Sequence, residues 1–257
     1  MAEPARIRRP NPGLLPLEGR AVLELAALLP AYPFLRRAPR GDGHPVLVLP
    51  GFMASDFSTR TLRRFLRDKG YAAHGWNLGR NLGPRAGVIQ AMVERLQELH
   101  RRYGQQRVSL VGWSLGGIYA RELARAMPDV ARQVITLASP FRDLDAVNVP
   151  RFLRRRAPRP AAPPDEPLLR ARLREALPVP TTAIVSRTDA IASWRSCCTE
   201  PGPYSENLEV DSSHLGIGHH PVVLLTIADR LAQPDGAWKP FEPPRGWPFP
   251  LVPRVLR

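Results

Sequence analysis

Short apolar runs bounded by proline and glycine alternate, from residue 45 onward, with longer stretches whose apolar residues recur every three to four positions. Val46 to Leu49 lies between Pro45 and Pro50 with no polar alternate, so such a strand needs cover on both faces. Further strands are predicted at YAAHGWNL, Arg107 to Val111, Val134 to Ala138, TTAIVS and ENLEV. Between them, Ser58 to Lys69 carries Leu62, Phe65 and Leu66 at helical spacing and ends at Gly70. A second helix from Pro84 to Tyr103 shows Val88, Met92, Leu96 and Leu99, and a third from Leu115 to Met127 shows Ile118, Tyr119 and Leu123. Pro221 to Leu231 closes the series. Alternation with short connections predicts an α/β fold: a mostly parallel sheet, right-handed crossovers and helices on both faces.

The 257 residues, 44% of them hydrophobic, suffice for one large domain, placed at 17–232. A proline-rich arm, 1–16, precedes it. The helix predicted over Leu17 to Leu29 offers Val22, Leu23, Ala26 and Leu29 for packing. Residues 141–180 interrupt the rhythm with a proline- and arginine-rich insertion holding one helix, Pro167 to Ala176, and read as a cap over the carboxyl edge of the sheet. The tail, 233–257, carries Trp238, Phe241, Trp247 and Phe249, which imply packing on the domain surface or on a partner.

The best membrane-span candidate, AVLELAALLPAYPFL, is interrupted by Glu24 and Pro30, so no stable membrane insertion is expected. The basic start lacks a clean apolar stretch with a small-residue cleavage site, and a cytoplasmic location is the expectation. Lys+Arg 37 against Asp+Glu 23 gives a net charge of +14. The arginines are scattered, and their one dense cluster lacks the interleaved aromatics that stack bases, so nucleic acid is not the expected partner. That cluster, Arg151, Arg154, Arg155, Arg156 and Arg159, reads first as a solvated surface, and could also meet a carboxylate or phosphate head group or an anionic interface. Cys197 and Cys198 are adjacent, which suits neither a stapling disulfide nor a zinc site; they read as ordinary thiols.

The chemistry-bearing string is Gly112-Trp113-Ser114-Leu115-Gly116, between a predicted strand and a predicted helix. A tight strand-to-helix turn lifts a serine hydroxyl clear of the sheet, where a base reaches it. Gly112 and Gly116 are needed because a side chain at either would collide with neighbouring backbone, and Gly117 extends the same close approach.

These residues, in this setting, resemble the α/β-hydrolase family, in particular its bacterial lipase- and esterase-like branch, over about His44 to Leu231. The resemblance implies the α/β-hydrolase fold, a serine nucleophile at Ser114, and an acid and then a histidine later in the chain. Asp189, in the loop after Thr181 to Ser186, matches the acid; Asp143 and Asp145 stand at an alternative acid site, and Asp211 lies too close in sequence to His214. His214, after ENLEV, matches the histidine loop, whereas His219 and His220 look like the entry turn of the last helix. His44, His74 and His100 precede the acid and fail the order. The implied oxyanion donors are the amides of Leu115 and Phe52, with Met53 second, in a PGFM segment where Pro50 replaces the usual histidine. Phe52, Met53 and Trp113 would line an apolar acyl pocket, and Trp194 either closes one side of it or packs in the core.

The expected reaction is hydrolysis of a small-molecule or lipid carboxylic ester through an acyl-enzyme, with no metal and no cofactor. Thioester cleavage or acyl transfer uses the same triad, and a non-catalytic binding module on this fold is the reading outside enzymes.

Overall fold

In the computed structural model the described residues are 7–85, 87–148, 166–243 and 252–256. Each predicted strand forms, and their order shows why the loops that matter meet at one edge. A 3-10 helix, Pro12–Arg20, leads into α1 (Ala21–Ala26) and α2 (Leu28–Arg37). Then follow β1 (Pro45–Leu49), α3 (Arg60–Asp68), β2 (Ala72–Gly75), α4 (Val88–Arg102), β3 (Val108–Trp113), α5 (Leu115–Ala126) and β4 (Ala131–Leu137). After α6 (Glu166–Arg174) come β5 (Thr181–Val185), α7 (Trp194–Cys197), β6 (Ser205–Glu209), α8 (Pro221–Leu231) and β7 (Arg254–Leu256).

The seven-stranded sheet runs β2-β1-β3-β4-β5-β6-β7. All neighbours are parallel except β6 and β7. Successive residues of β1 feed opposite faces, as the period of two requires. Val46 and Val48 join α2, α3 and α8 in one core, through Leu35, Leu62, Leu66, Val223 and Ile227. Leu47 and Leu49 join α4 and α5 in the other, through Met92, Leu96, Leu99, Tyr119 and Leu123. Parallel strands put every carboxyl end on the same rim, so the loops after β1, β3, β4, β5 and β6 converge there.

Two features depart from expectation. The helix predicted over Leu17 to Leu29 is shifted and broken, and its supposed packing face is outside: Val22 is 72% exposed, Leu23 71% and Leu29 81%, and Ala26 is exposed too. The chain instead buries Glu18, Glu24, Ala31 and Leu35. A hydrophobic count favoured the leucines, but the carboxylates win because backbone amides wait for them beneath.

The tail also adds to the sheet. Arg254 to Leu256 pairs antiparallel with Asn207 to Glu209. Phe241 is buried, and Trp238 meets the Tyr204 ring edge-on at 6.3 Å, so these two aromatics lie on the domain. Trp247, Phe249 and the cluster Arg151 to Arg159 fall outside the described residues. Of the 141–180 insertion, residues 141–148 and 166–180 are described; α6 lies over α5, with the Arg121 guanidinium donating to the carbonyls of Leu173 and Glu175 at 3.2 and 2.7 Å. No described helix is long and apolar enough to cross a membrane.

Candidate active site

The sharp turn between β3 and α5 is built around Ser114, whose backbone lies at φ 52, ψ −120. A non-glycine residue there costs on the order of 1–3 kcal/mol and persists only when its surroundings enforce it. They do so by close approach. A Cβ on Gly112 would stand 2.3 Å from the Gly116 carbonyl oxygen, and one on Gly116 would stand 2.3 Å from that of Leu49. The Ser114 amide donates to the Leu137 carbonyl at 2.8 Å, tying the elbow to β4.

The loop after β5 brings Asp189, and the loop after β6 brings His214. His214 Nδ1 meets Asp189 Oδ2 at 2.7 Å, and both side chains are buried. The second oxygen of Asp189 accepts from the amides of Ile191 and Ala192, each at 2.7 Å, so the carboxylate cannot swing away from the ring. Burial opposes a charge on His214, and Asp189, by its charge and hydrogen bond, together with the nearby Glu18 carboxylate, outweighs it: the imidazole is held above its ordinary value. The Trp113 indole donates to the His214 carbonyl at 3.0 Å, and the two rings lie 6.2 Å apart, which fixes the histidine loop beside the elbow. Ser114 Oγ itself has no hydrogen-bond partner within 3.5 Å among the described residues, His214 included. Such contacts are often long before substrate arrives.

On the other side of the elbow, the loop after β1 packs Gly51 so tightly that a Cβ there would lie 3.3 Å from the Ser114 Cβ. Met53 adopts φ 61, and its amide donates to the Asn81 carbonyl at 2.7 Å, which removes it as a free donor. The Phe52 amide meets no carbonyl within the described fold. Leu115 supplies the first amide of α5, one of those a helix leaves without an internal acceptor.

Sequence reasoning missed the residues that hold these loops. Buried Asn81 donates to the Pro50 carbonyl at 2.8 Å and accepts from the Gly83 amide at 3.2 Å, bracing the Phe52 loop. Glu18 joins the other two loops: Oε1 accepts from the Ala190 amide at 2.9 Å and Oε2 from the Leu215 amide at 3.0 Å. Glu24 accepts from the amide and hydroxyl of Ser213 at 2.7 and 2.6 Å, and Arg20 donates to the Thr188 hydroxyl at 2.6 Å. For Glu18 and Glu24 the one local hint is two acidic residues in a leucine-rich segment, and Asn81 and Arg20 carry none.

The competing residues are engaged elsewhere. Asp145 pairs with Arg170 at 3.0 Å, Asp143 accepts from the amides of Ile7 and Asp145, and Asp211 pairs with Arg254 at 3.1 Å. His220 caps α8, accepting from the Val222 amide, and His219 meets the Ala21 carbonyl at 2.9 Å. His44 is locked between Asp42 and Ser109, His74 meets the Tyr103 hydroxyl, and His100 meets the Gln106 carbonyl. Trp194 sits with Ala183, Val185 and Cys197 in a satellite cluster, between the guanidinium groups of Arg187 and Arg195. Cys197 and Cys198 are free thiols that burial pushes up, Cys198 to about 11. Among the described residues no group of three His, Cys, Asp or Glu is placed to hold a metal ion.

Comparison with solved structures gives the same architecture at low identity. A lipase from Bacillus licheniformis, BlEst2, is 16% identical with a TM-score of 0.54, over 76% of this chain and 94% of that one. Mouse alpha/beta hydrolase domain-containing protein 10 is 15% identical with a TM-score of 0.53, over 74% and 90%. One of the metagenome-derived lipolytic enzymes LipS and LipT is 17% identical with a TM-score of 0.52, over 69% and 88%. The model of the alpha/beta hydrolase family matches residues 46–256, most of the chain. With its sheet order, its serine elbow and its buried Asp–His pair, the chain belongs to the alpha/beta hydrolase family.

Proposed function

We propose that this hydrolase cleaves carboxylic esters through an acyl-enzyme formed on Ser114. The observation that carries the reading is the strained Ser114 at φ 52 beside a buried His214–Asp189 pair at 2.7 Å, on loops from one sheet edge. In this reading His214 Nε2 takes the Ser114 proton as Oγ bonds to the ester carbonyl carbon. Asp189 keeps the other ring nitrogen as the donor and stabilises the imidazolium. The carbonyl oxygen, now negative, receives the amides of Phe52 and Leu115; losing one such donor typically costs ~10²–10³ in turnover. The C–O bond to the alcohol then breaks, and His214 returns its proton to the leaving oxygen. Water, deprotonated by the same ring, attacks the acyl carbon and releases acid and free Ser114.

A fluorophosphonate probe followed by peptide mapping tests the nucleophile. The expected result is one adduct, on Ser114, with p-nitrophenyl ester hydrolysis falling about 10⁴–10⁶-fold in Ser114→Ala. Unchanged turnover in that variant, or an adduct on another serine, overturns the assignment.

A further inference from the structure

The segment whose leucines face outward borders a second unexplained feature. A cleft of about 790 Å³ opens between α2 and α3. Its floor is apolar, with Leu25, Leu28, Phe65 and Leu224, and its walls carry Arg36, Arg40, Arg60, Arg64, Arg67 and Lys69 against one acid, Asp68. None of the five arginines forms an ion pair among the described residues. Burial and the charges of Arg40 and Arg36 hold the Lys69 ammonium below its ordinary value, with Asp68 opposing them.

The outward face of α1 and α2 continues this cleft. Ala27 between the two helices keeps helical backbone, at φ −63, ψ −13. Val22, Leu25, Leu29, Tyr32 and Arg36 therefore follow one another at helical spacing as a single stripe. Every member is exposed, Leu25 at 45% and Tyr32 at 60%, and Arg36 lies over the Tyr32 ring. Phe57, in the turn before α3, is 68% exposed with the Arg60 guanidinium 3.8 Å over its ring.

We propose that this stripe and cleft form a docking surface for an anionic phospholipid bilayer, the arginines meeting lipid phosphates and the apolar side chains entering the acyl boundary. Charge selects the partner. A second copy would bring the same arginines face to face on a chain of net charge +14. Nucleic acid satisfies the arginines and leaves Val22, Leu25 and Leu29 in water. A bilayer has negative charge with hydrocarbon directly behind it, and helices with basic and apolar side chains bind in that boundary. On its buried side α1 grips the histidine loop, Glu24 accepting from the amide and hydroxyl of Ser213. These cations are separate from the cluster at 151–159.

Sedimentation with large vesicles tests the proposal independently of any hydrolysis if the lipids are ether-linked. The protein should pellet with phosphatidylcholine vesicles containing phosphatidylglycerol, remain in solution with phosphatidylcholine alone, and be released by high salt. Arg60→Gln with Arg64→Gln should weaken binding about fivefold per arginine, and Leu25→Glu with Leu29→Glu should abolish it, with Tm unchanged in both pairs. Equal pelleting with both vesicles, none with either, or binding indifferent to the leucine pair overturns the proposal. So does a dimer by light scattering that the leucine pair splits, or a fall in Tm there without vesicle binding, which would mean that a second copy or the chain's own residues cover the stripe. Binding of duplex DNA that is sensitive to the arginine pair, in the absence of vesicle binding, would give the surface to nucleic acid.

Discussion

Replacing Glu18 by glutamine removes a charge and turns one hydrogen-bond acceptor into a donor at the point where the acid and histidine loops are tied together. Both carboxylate oxygens are in use, one on the Ala190 amide and one on the Leu215 amide, the neighbours of Asp189 and His214. Glutamine keeps a single carbonyl oxygen, so one of those amides faces an N–H. A buried amide without an acceptor costs about 1–3 kcal/mol. At roughly 2–4 °C per kcal/mol for a domain of this size, Tm should fall by several degrees. The kinetic effect has its own sign. Glu18 is one of the charges that raise His214, so its removal lowers the imidazole value. Neutral His214 is the working base, and the acid limb of kcat/KM should therefore move to lower pH in Glu18→Gln. Stability follows the same linkage: a raised His214 contributes stability below its unfolded value, 6.5, and loses it as pH rises through the higher folded value. Less of that contribution remains in the variant, so the gap in Tm between the two proteins should narrow as pH rises through that window. Stopped-assay pH profiles and calorimetry across the same buffers make the test. A limb that stays in place, or moves upward, would show that the Glu18 charge is not felt at the ring and refute the reasoning.

Asp189→Asn should lower kcat by about 10⁴, because the amide stabilises the wrong tautomer; Asp145→Asn, which loses only its Arg170 pair, should leave kcat within a few-fold, and the reverse pattern would move the acid. Asn81→Ala should cost about 1–3 kcal/mol in chemical denaturation and reduce kcat more than it raises KM, since the Pro50 carbonyl and Gly83 amide lose the partner that sets the Phe52 loop.

Much of the sheet was legible because buried parallel strands leave a dense local signal: Val46 to Leu49 and Thr181 to Val185 have no polar residue to confuse the period of two except the threonines. The elbow was legible for a different reason, since two glycines and a serine at fixed spacing are a local steric solution. Asp189 and His214 were picked out by the α/β-hydrolase resemblance, which implies an acid and then a histidine after later strands. What the pattern could not show was anything decided by a distant partner. Glu18 and Leu215 are 197 positions apart, and nothing in PLEGR announces that its glutamate will be buried. Val22, Leu23 and Leu29 were misread for the complementary reason: hydrophobicity reports what prefers burial, and here no partner within the described fold covers them. Helix starts shifted as well, α4 beginning at Val88 rather than Pro84, because Gly87 at φ 80 reverses the chain first.

The last strand has a consequence for how the molecule behaves in a crowd. Without Arg254 to Leu256, β6 would present an open ladder of amides and carbonyls, a ready template for a strand from another molecule. Three residues close it, and Arg254 latches them by pairing with both Glu209 and Asp211. Being short and charged, the added strand offers little edge of its own. Loss of that latch would bare the backbone ladder of β6 while leaving the serine elbow, three strands away, in place.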